Sequence, residues 1–250
     1  MTTSPPHSAL TLAGLTKRYG GHCVWSDLSF AVAPGTCVGL VGVNGAGKTT
    51  LFRSILDLIR VDAGRIDIFG VSHLDTAARR RVAYLPERFL PPSELRGTDY
   101  LRYTLALAKC EFDRRSADER ARSLHLDSAM LDRPVRQLSK GTAQKLGLLA
   151  ALLMKKDLYL LDEPMSGLDP VARHDVKQAL LELKAGGAAI LMSTHALHDV
   201  LTVCDRMLVL HGGHIRFDGA PADFLARSQA RDADDAFVSL LGAHGPALIE

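Results

Sequence analysis

The sequence predicts an α/β protein with a parallel-sheet core, an antiparallel β layer at its start and a block of helices inserted midway. Three observations carry this. Short, almost wholly apolar runs recur: "TCVGLVG" at 36–42, LYLL at 158–161, AAILMS at 188–193 and RMLVL at 206–210. Runs of that length and composition are strands buried on both faces, as parallel sheets require. From Leu10 to Phe30 apolar and polar residues alternate instead, which marks strands with one covered face. Between about 88 and 154 the strand signal fades, and helix-like segments follow at about 97–110, 116–125 and 139–154.

The first eight residues are polar and proline-bearing; they read as a loose tail and not as a signal peptide. Gly20 and Gly21 supply a turn inside the alternating stretch. The run at 36–42 leads through a glycine-rich turn into a helix from Lys48, and GRIDIFG (64–70) and RRVAYLP (80–86) read as further strands. The basic run Arg79 to Arg81 reads as a solvated helix end. Beyond the helical block, strands alternate with a helix after Pro170 and a helix ending at Val203. HGGH (211–214) reads as a turn between strands, and HIRFDG closes the β pattern. From Pro221 the expectation is a short helix, a polar hinge RSQARDADD and a last apolar turn AFVSLLG. Residues 9–220 thus read as one unit with a helical subdomain inserted at about 88–154, followed by a short C-terminal helical extension over 221–250.

Composition excludes some functions. With 47% hydrophobic residues there is ample material for a core, and 30 basic against 28 acidic residues give no reason to expect nucleic acid as a partner. The longest apolar run, LGLLAALLM, has nine residues, whereas a membrane span needs about 20. The chain is expected to be soluble or peripheral, with any membrane role exercised through a partner. Cys23, Cys37, Cys110 and Cys204 form no CxxC pair and read as reduced thiols.

"GVNGAGKT", Gly42 to Thr49, fits G-x-x-x-x-G-K-[ST] and sits between a buried run and a helix. In such a phosphate-loop NTPase core the glycines let backbone N–H groups face phosphate oxygens, Lys48 reaches the β- and γ-phosphates, and the Thr49 hydroxyl ligates Mg²⁺. "LYLLDEP" places Asp162 and Glu163 directly after a buried run, where carboxylates are costly unless something needs them. At the carboxyl end of a parallel strand, Asp162 can hold Mg²⁺ and Glu163 can polarise an attacking water; the bland alternative is a strand end capping the next loop. A second small-residue helix start, "LSKGT" at 138–142, is also built to meet an anion.

"GVNGAGKTT", "LSKGT", "LYLLDEP", "SGLDP" and "MSTH" stand in the order and spacing of ATP-binding cassette (ABC) ATPases, and the resemblance covers roughly residues 9–220. It implies the following roles. Tyr19 stacks on adenine, unless it packs in the β layer. Gly42, Asn44, Gly45, Gly47, Lys48, Thr49 and Thr50 form the phosphate loop. Asp162 and Glu163 match the Mg²⁺-side aspartate and the catalytic glutamate, Asp169 the loop that couples two nucleotide sites, and His195 the histidine that contacts the γ-phosphate. Ser139 and the N–H of Gly141 would cap the γ-phosphate of ATP on a second cassette facing this one head to tail.

Two positions depart from the commonest family pattern. Lys140 and Thr142 replace a Gly and a Gln of the signature, and Glu87 replaces a Gln that approaches Mg²⁺. Lys140 either adds a cation near the triphosphate or points to solvent. Both departures resemble exporter-type cassettes. The implied protein is a cytoplasmic ATPase, peripheral on the inner face of the cell membrane, that dimerises on ATP, uses ATP and Mg²⁺, and powers a separate transmembrane permease for export. The alternative is a cassette motor of a soluble assembly, such as cofactor or cluster assembly. A DNA-repair cassette would need a long coiled coil, but only 50 residues separate Glu87 from Leu138. Apart from nucleotide-bound Mg²⁺, no metal site is expected: His195 with His198, and His211 with His214, lack further ligands at suitable spacing. Phe89, Leu90, Pro91 and Pro92 form an apolar loop that either packs inside the helical insertion or receives a partner helix.

Overall fold

The computed structural model describes residues 8–228 and 233–242. In chain order its elements begin with β1 (Leu10–Tyr19), β2 (His22–Val32), β3 (Cys37–Val41), α1 (Lys48–Ile55), β4 (Ala63–Ile68), β5 (Val71–Ser72), α2 (Thr76–Arg79) and β6 (Val82–Leu85). Helices α3 (Gly97–Leu107), α4 (Arg114–Ser123), α5 (Ser128–Leu131) and α6 (Lys140–Leu153) follow, with a 3₁₀ turn at Val135–Gln137. The chain then runs through β7 (Leu158–Asp162), α7 (Pro170–Ala185), β8 (Ala189–Thr194), α8 (Leu197–Val203), β9 (Arg206–His211), β10 (His214–Gly219), α9 (Pro221–Ser228) and α10 (Ala233–Gly242).

The antiparallel layer has the order β2-β1-β4-β5, so it recruits two later strands besides the initial hairpin. The second sheet has the order β10-β9-β3-β8-β7-β6. Its strands pair in parallel except β10, which returns antiparallel to β9 through the HGGH turn. The expected parallel sheet is therefore a mixed one: the two residues Gly212 and Gly213 allow a tight hairpin, whereas a parallel return needs a long crossover.

Side-chain alternation along the buried strands divides the interior. Leu158 and Leu160 of β7, Leu191 of β8 and Leu208 and Leu210 of β9 face α1 and the antiparallel layer, in a core with Trp25, Phe30 and Phe52. Tyr159, Leu161, Ile190 and Met192 point the other way, onto α6, α7 and the inserted helices. Met207 and Val209 meet α8, α9 and α10 in a third cluster with Phe217 and Phe224. A period of two on a strand covered on both faces produces this split.

The structure amends two local expectations and adds a contact between two of the expected reduced thiols. Helix α10 starts at Ala233, so the end of the expected hinge and the expected apolar turn are one helix; residues 229–232 and 243–250 lie outside the described residues, as do residues 1–7 of the expected tail. Within the basic run, only Arg80 matches a merely solvated end. Arg79 pairs with Asp57, and Arg81 pairs with Asp157 while stacking 3.5 Å from the Phe69 ring centroid. Cys37 and Cys204, distant in sequence, bring their sulfurs within 3.6 Å as free thiols. Hydrogen bonding to Cys37 and burial push the Cys204 thiol up.

Candidate active site

Strand β3 delivers the chain to the phosphate loop at the carboxyl edge of the parallel sheet, the ligand edge of open α/β sheets. Gly47 is the N-cap of α1 at φ 95°, and no side chain caps the helix. A Cβ there would stand 2.6 Å from Val24 Cγ1 and 2.9 Å from Trp25 Cδ1, so only glycine fits against the β2 side chains. The first N–H groups of α1 are thus left without a side-chain acceptor, in the manner of an anion site.

Lys48 is buried and folds back over the loop, its ammonium donating to the carbonyl oxygens of Gly42 at 2.5 Å and Val43 at 3.3 Å. Burial pushes its pKa down, opposed by the charges of Glu163 and Asp162. Thr49 Oγ1 donates to Asp162 Oδ2 at 2.7 Å. Asp162 Oδ1 accepts from the Ser193 hydroxyl, which also accepts from the Glu163 N–H at 3.0 Å. Glu163 sits at φ 50°, a left-handed conformation uncommon for a residue with a side chain and typical of over-determined functional positions. Its Oε1 lies 3.8 Å from Lys48 Nζ and its Oε2 3.0 Å from His195 Nδ1.

Lys48, Thr49, Asp162 and Glu163 border a cavity of about 280 Å³. Its lining includes Tyr19, Asn44, Gly45, Gly47, Lys48, Thr49, Thr50, Glu87, Asp162 and Glu163. Gly42 lies beneath it as acceptor for Lys48, and His195 joins through Glu163. Tyr19 is half exposed at the rim, with Lys17 Nζ 4.9 Å from its ring centroid, so it is not a packed strand aromatic. Glu87 also lines a neighbouring groove of about 620 Å³ with Phe89, Leu90 and Lys140.

Ser139, Gly141 and Asp169 are not among the residues lining the phosphate-loop cavity. Ser139 is the N-cap of α6: its Oγ accepts from the Thr142 N–H at 3.1 Å and lies 2.8 Å from the Thr142 hydroxyl. The Lys140 side chain lies over Gly167 of the SGLDP loop. Asp169 caps α7 by accepting from the Ala172 N–H at 2.9 Å, and that bond holds its carboxyl below the usual range, with the Lys145 charge adding to it.

Of the apolar loop, Leu90 is 86% exposed, whereas Phe89 packs edge-on to Tyr100 at 5.4 Å and against Gly147 of α6. Phe89 is therefore a half-buried contact of the helical insertion that also borders the groove, and Leu90 projects to solvent.

Three contributors escaped the sequence reading. Ser193 anchors the Asp162 carboxylate and the Glu163 backbone N–H, and its signal is a hydroxyl inside an otherwise apolar buried run. His22 and Val24 line the cavity because the hairpin brings β2 back beside Tyr19, a register that the alternation alone does not fix.

Among the described residues no helix is long and apolar enough to cross a membrane. The chain matches the ABC transporter family over residues 25–166. It is 37% identical over 225 residues to the Nod factor export ATP-binding protein I of Rhizobium etli, covering 87% of this chain and 70% of that one. Identity to the ABC-type transporter ATP-binding protein EcsA of Bacillus subtilis is 32%, covering 93% and 96% of the two chains. An uncharacterized ABC transporter ATP-binding protein of Synechocystis is 37% identical, and the chain spans 58% of its length. A solved structure of the ATP binding subunit of an ABC transporter superposes with a TM-score of 0.84 at 33% identity, covering 93% of this chain and 99% of that one.

Proposed function

The chain belongs to the ABC transporter family as an ATP-hydrolysing ATP-binding subunit, and on that premise we propose that it drives a separate membrane permease in the export direction. The observation that carries the chemistry is the placement of Glu163 between Lys48 and His195 at the phosphate loop. The phosphates of ATP lie on the open amides of α1 and on Lys48, with adenine on the half-exposed Tyr19 ring. Glu163 takes the proton of the attacking water, whose oxygen bonds to the γ-phosphorus as the bond to the β–γ bridging oxygen breaks, giving ADP and phosphate. His195, held by Glu163, orients toward the γ-phosphate.

The donor set fits Mg²⁺: the Thr49 hydroxyl and an Asp162 carboxylate oxygen already converge within 2.7 Å, with the Glu87 carboxylate in the same cavity, and all three are hard oxygen donors. When bound, the ion would supply positive charge to offset that of the phosphates. Glu163→Gln should retain ATP binding and lower turnover by about 10³-fold, because the amide cannot accept the proton. A variant that turns over at the parent rate would refute the assignment.

In this reading Ser139 and Gly141 serve a second cassette, because they lie outside their own chain's nucleotide cavity. Residues 9–220 form the nucleotide-binding unit, with 88–154 its helical insertion. The exposed Leu90 belongs to a groove that shares Glu87 with the nucleotide cavity, so a permease helix seated there would sense nucleotide-driven movement. The protein then sits on the cytoplasmic face of the membrane. The LSKGT and Glu87 departures and the likeness to proteins named for Nod factor export support export. Leu90→Asp should abolish recovery with membranes and leave basal ATPase activity within about twofold of the parent, as a substitution on an exposed side chain that does not line the nucleotide cavity. Recovery of the parent protein only in soluble complexes would replace the permease with a soluble assembly.

A further inference from the structure

Two buried carboxylates have no part in the chemistry above. Asp175 on α7 is 2% exposed and Asp199 on α8 is 1% exposed. An ionised carboxylate so far from water needs partners, and both have them on a neighbouring helix. Arg173 and Lys177 stand one turn apart on one face of α7 and reach Asp199: Arg173 Nη1 is 3.3 Å from both its oxygens, and Lys177 Nζ is 3.1 Å from Oδ1. Asp175 lies two residues beyond Arg173, roughly 200° around the helix. On that side its Oδ2 accepts from Lys145 Nζ of α6 at 2.9 Å, and its Oδ1 pairs with His125 Nδ1, just past α4, at 2.8 Å.

Helix α7 is therefore locked by charge on two opposite faces, and the helices it joins are those that begin at the motif residues. Helix α6 starts at the Ser139 turn, α7 at Asp169, and α8 two residues after His195. A purely apolar contact between helices tolerates sliding, whereas hydrogen-bonded pairs whose carboxylates are out of water favour one register.

We propose that Asp175 and Asp199 are positioning residues of the ATPase: through α7 they hold the Ser139 turn, Asp169 and His195 in a single register. The surface offered to the second cassette and the chain's own Glu163–His195 pair then move as one unit. This rests on the roles proposed above for Glu163 and Ser139.

The test separates nucleotide binding from turnover in the full chain. Asp175→Asn and Asp199→Asn should each bind a fluorescent ATP analogue within about twofold of the parent while kcat falls about tenfold or more. A purely structural role would lower the melting temperature and leave kcat per folded molecule unchanged; that result for either variant overturns the proposal. Should an Asn variant fail to fold, Lys145→Met or Arg173→Met removes the opposite arm of the same pair and is read by the same criterion. Glu163→Gln in the same assay keeps the two readings apart. If it retains turnover, the catalytic assignment falls and this inference with it. If it is inactive while both Asn variants turn over at the parent rate, only the coupling through α7 is lost.

Discussion

Two helices of this chain start at a turn of small residues, and they treat their first amides differently. Helix α1 starts after Gly47, which has no side chain to cap it. Helix α6 starts after Ser139, whose hydroxyl accepts from the Thr142 N–H and pairs with the Thr142 hydroxyl. An uncapped start keeps its donors for an outside anion, whereas a self-capped start is stable without one. The surroundings agree. Around α1 lie a buried lysine, two carboxylates and a cavity, all contributed by the same chain. Ser139 is exposed and faces none of them. The contrast teaches that one helix start is built to hold a ligand in place and the other to present a surface.

The largest effect should come from closing the open start. Gly47→Ala forces a Cβ into Val24 and Trp25 at a positive φ, which should cost about 2–4 kcal/mol of stability and abolish MgATP binding. Thermal melts with and without MgATP check this, and a variant still stabilised by nucleotide would show that the loop has room to spare. A smaller and differently shaped effect should follow at the self-capped start. Ser139→Ala should cost about 1 kcal/mol through the lost cap and leave MgATP binding to the monomer intact. Turnover should nevertheless fall by about 10²-fold, as for a lost phosphate donor. If Ser139→Ala weakens monomer binding as much as turnover, the two helix starts are not functionally distinct.

The smallest effect concerns the flank of α1. Tyr84 of β6 lies edge-on to Phe52 of α1, and burial, then the charge of Asp162, push its hydroxyl up to about 12. A raised folded pKa means stability is full below the unfolded tyrosine value and declines as pH climbs from there toward 12. Tyr84→Phe should flatten that alkaline decline in denaturant titrations across pH. An unchanged decline would place its source elsewhere.

Much of the site could be read in the sequence because its chemistry is local. Lys48 and Thr49 reach their ligand from the loop they belong to, and Asp162 and Glu163 betray themselves as charge at the end of an apolar run. The Phe89 and Leu90 loop was ambiguous for the opposite reason. Which of two neighbouring apolar residues turns inward depends on Gly147, 58 positions away, leaving room for a ring. Ser193, likewise, becomes an anchor only when β8 lies beside β7.

Hydrophobic periodicity and glycine-rich turns act over a few residues, so the α/β class, the inserted helices and the phosphate loop are legible along the chain. The antiparallel return of β10, the place of Glu163 between Lys48 and His195, and the ties from α7 through Asp175 and Asp199 to helices on either side emerge with the folded chain. Those facts are pairings between segments far apart in the chain. Their partners are chosen by packing and by the need to satisfy buried charge, which no local pattern records.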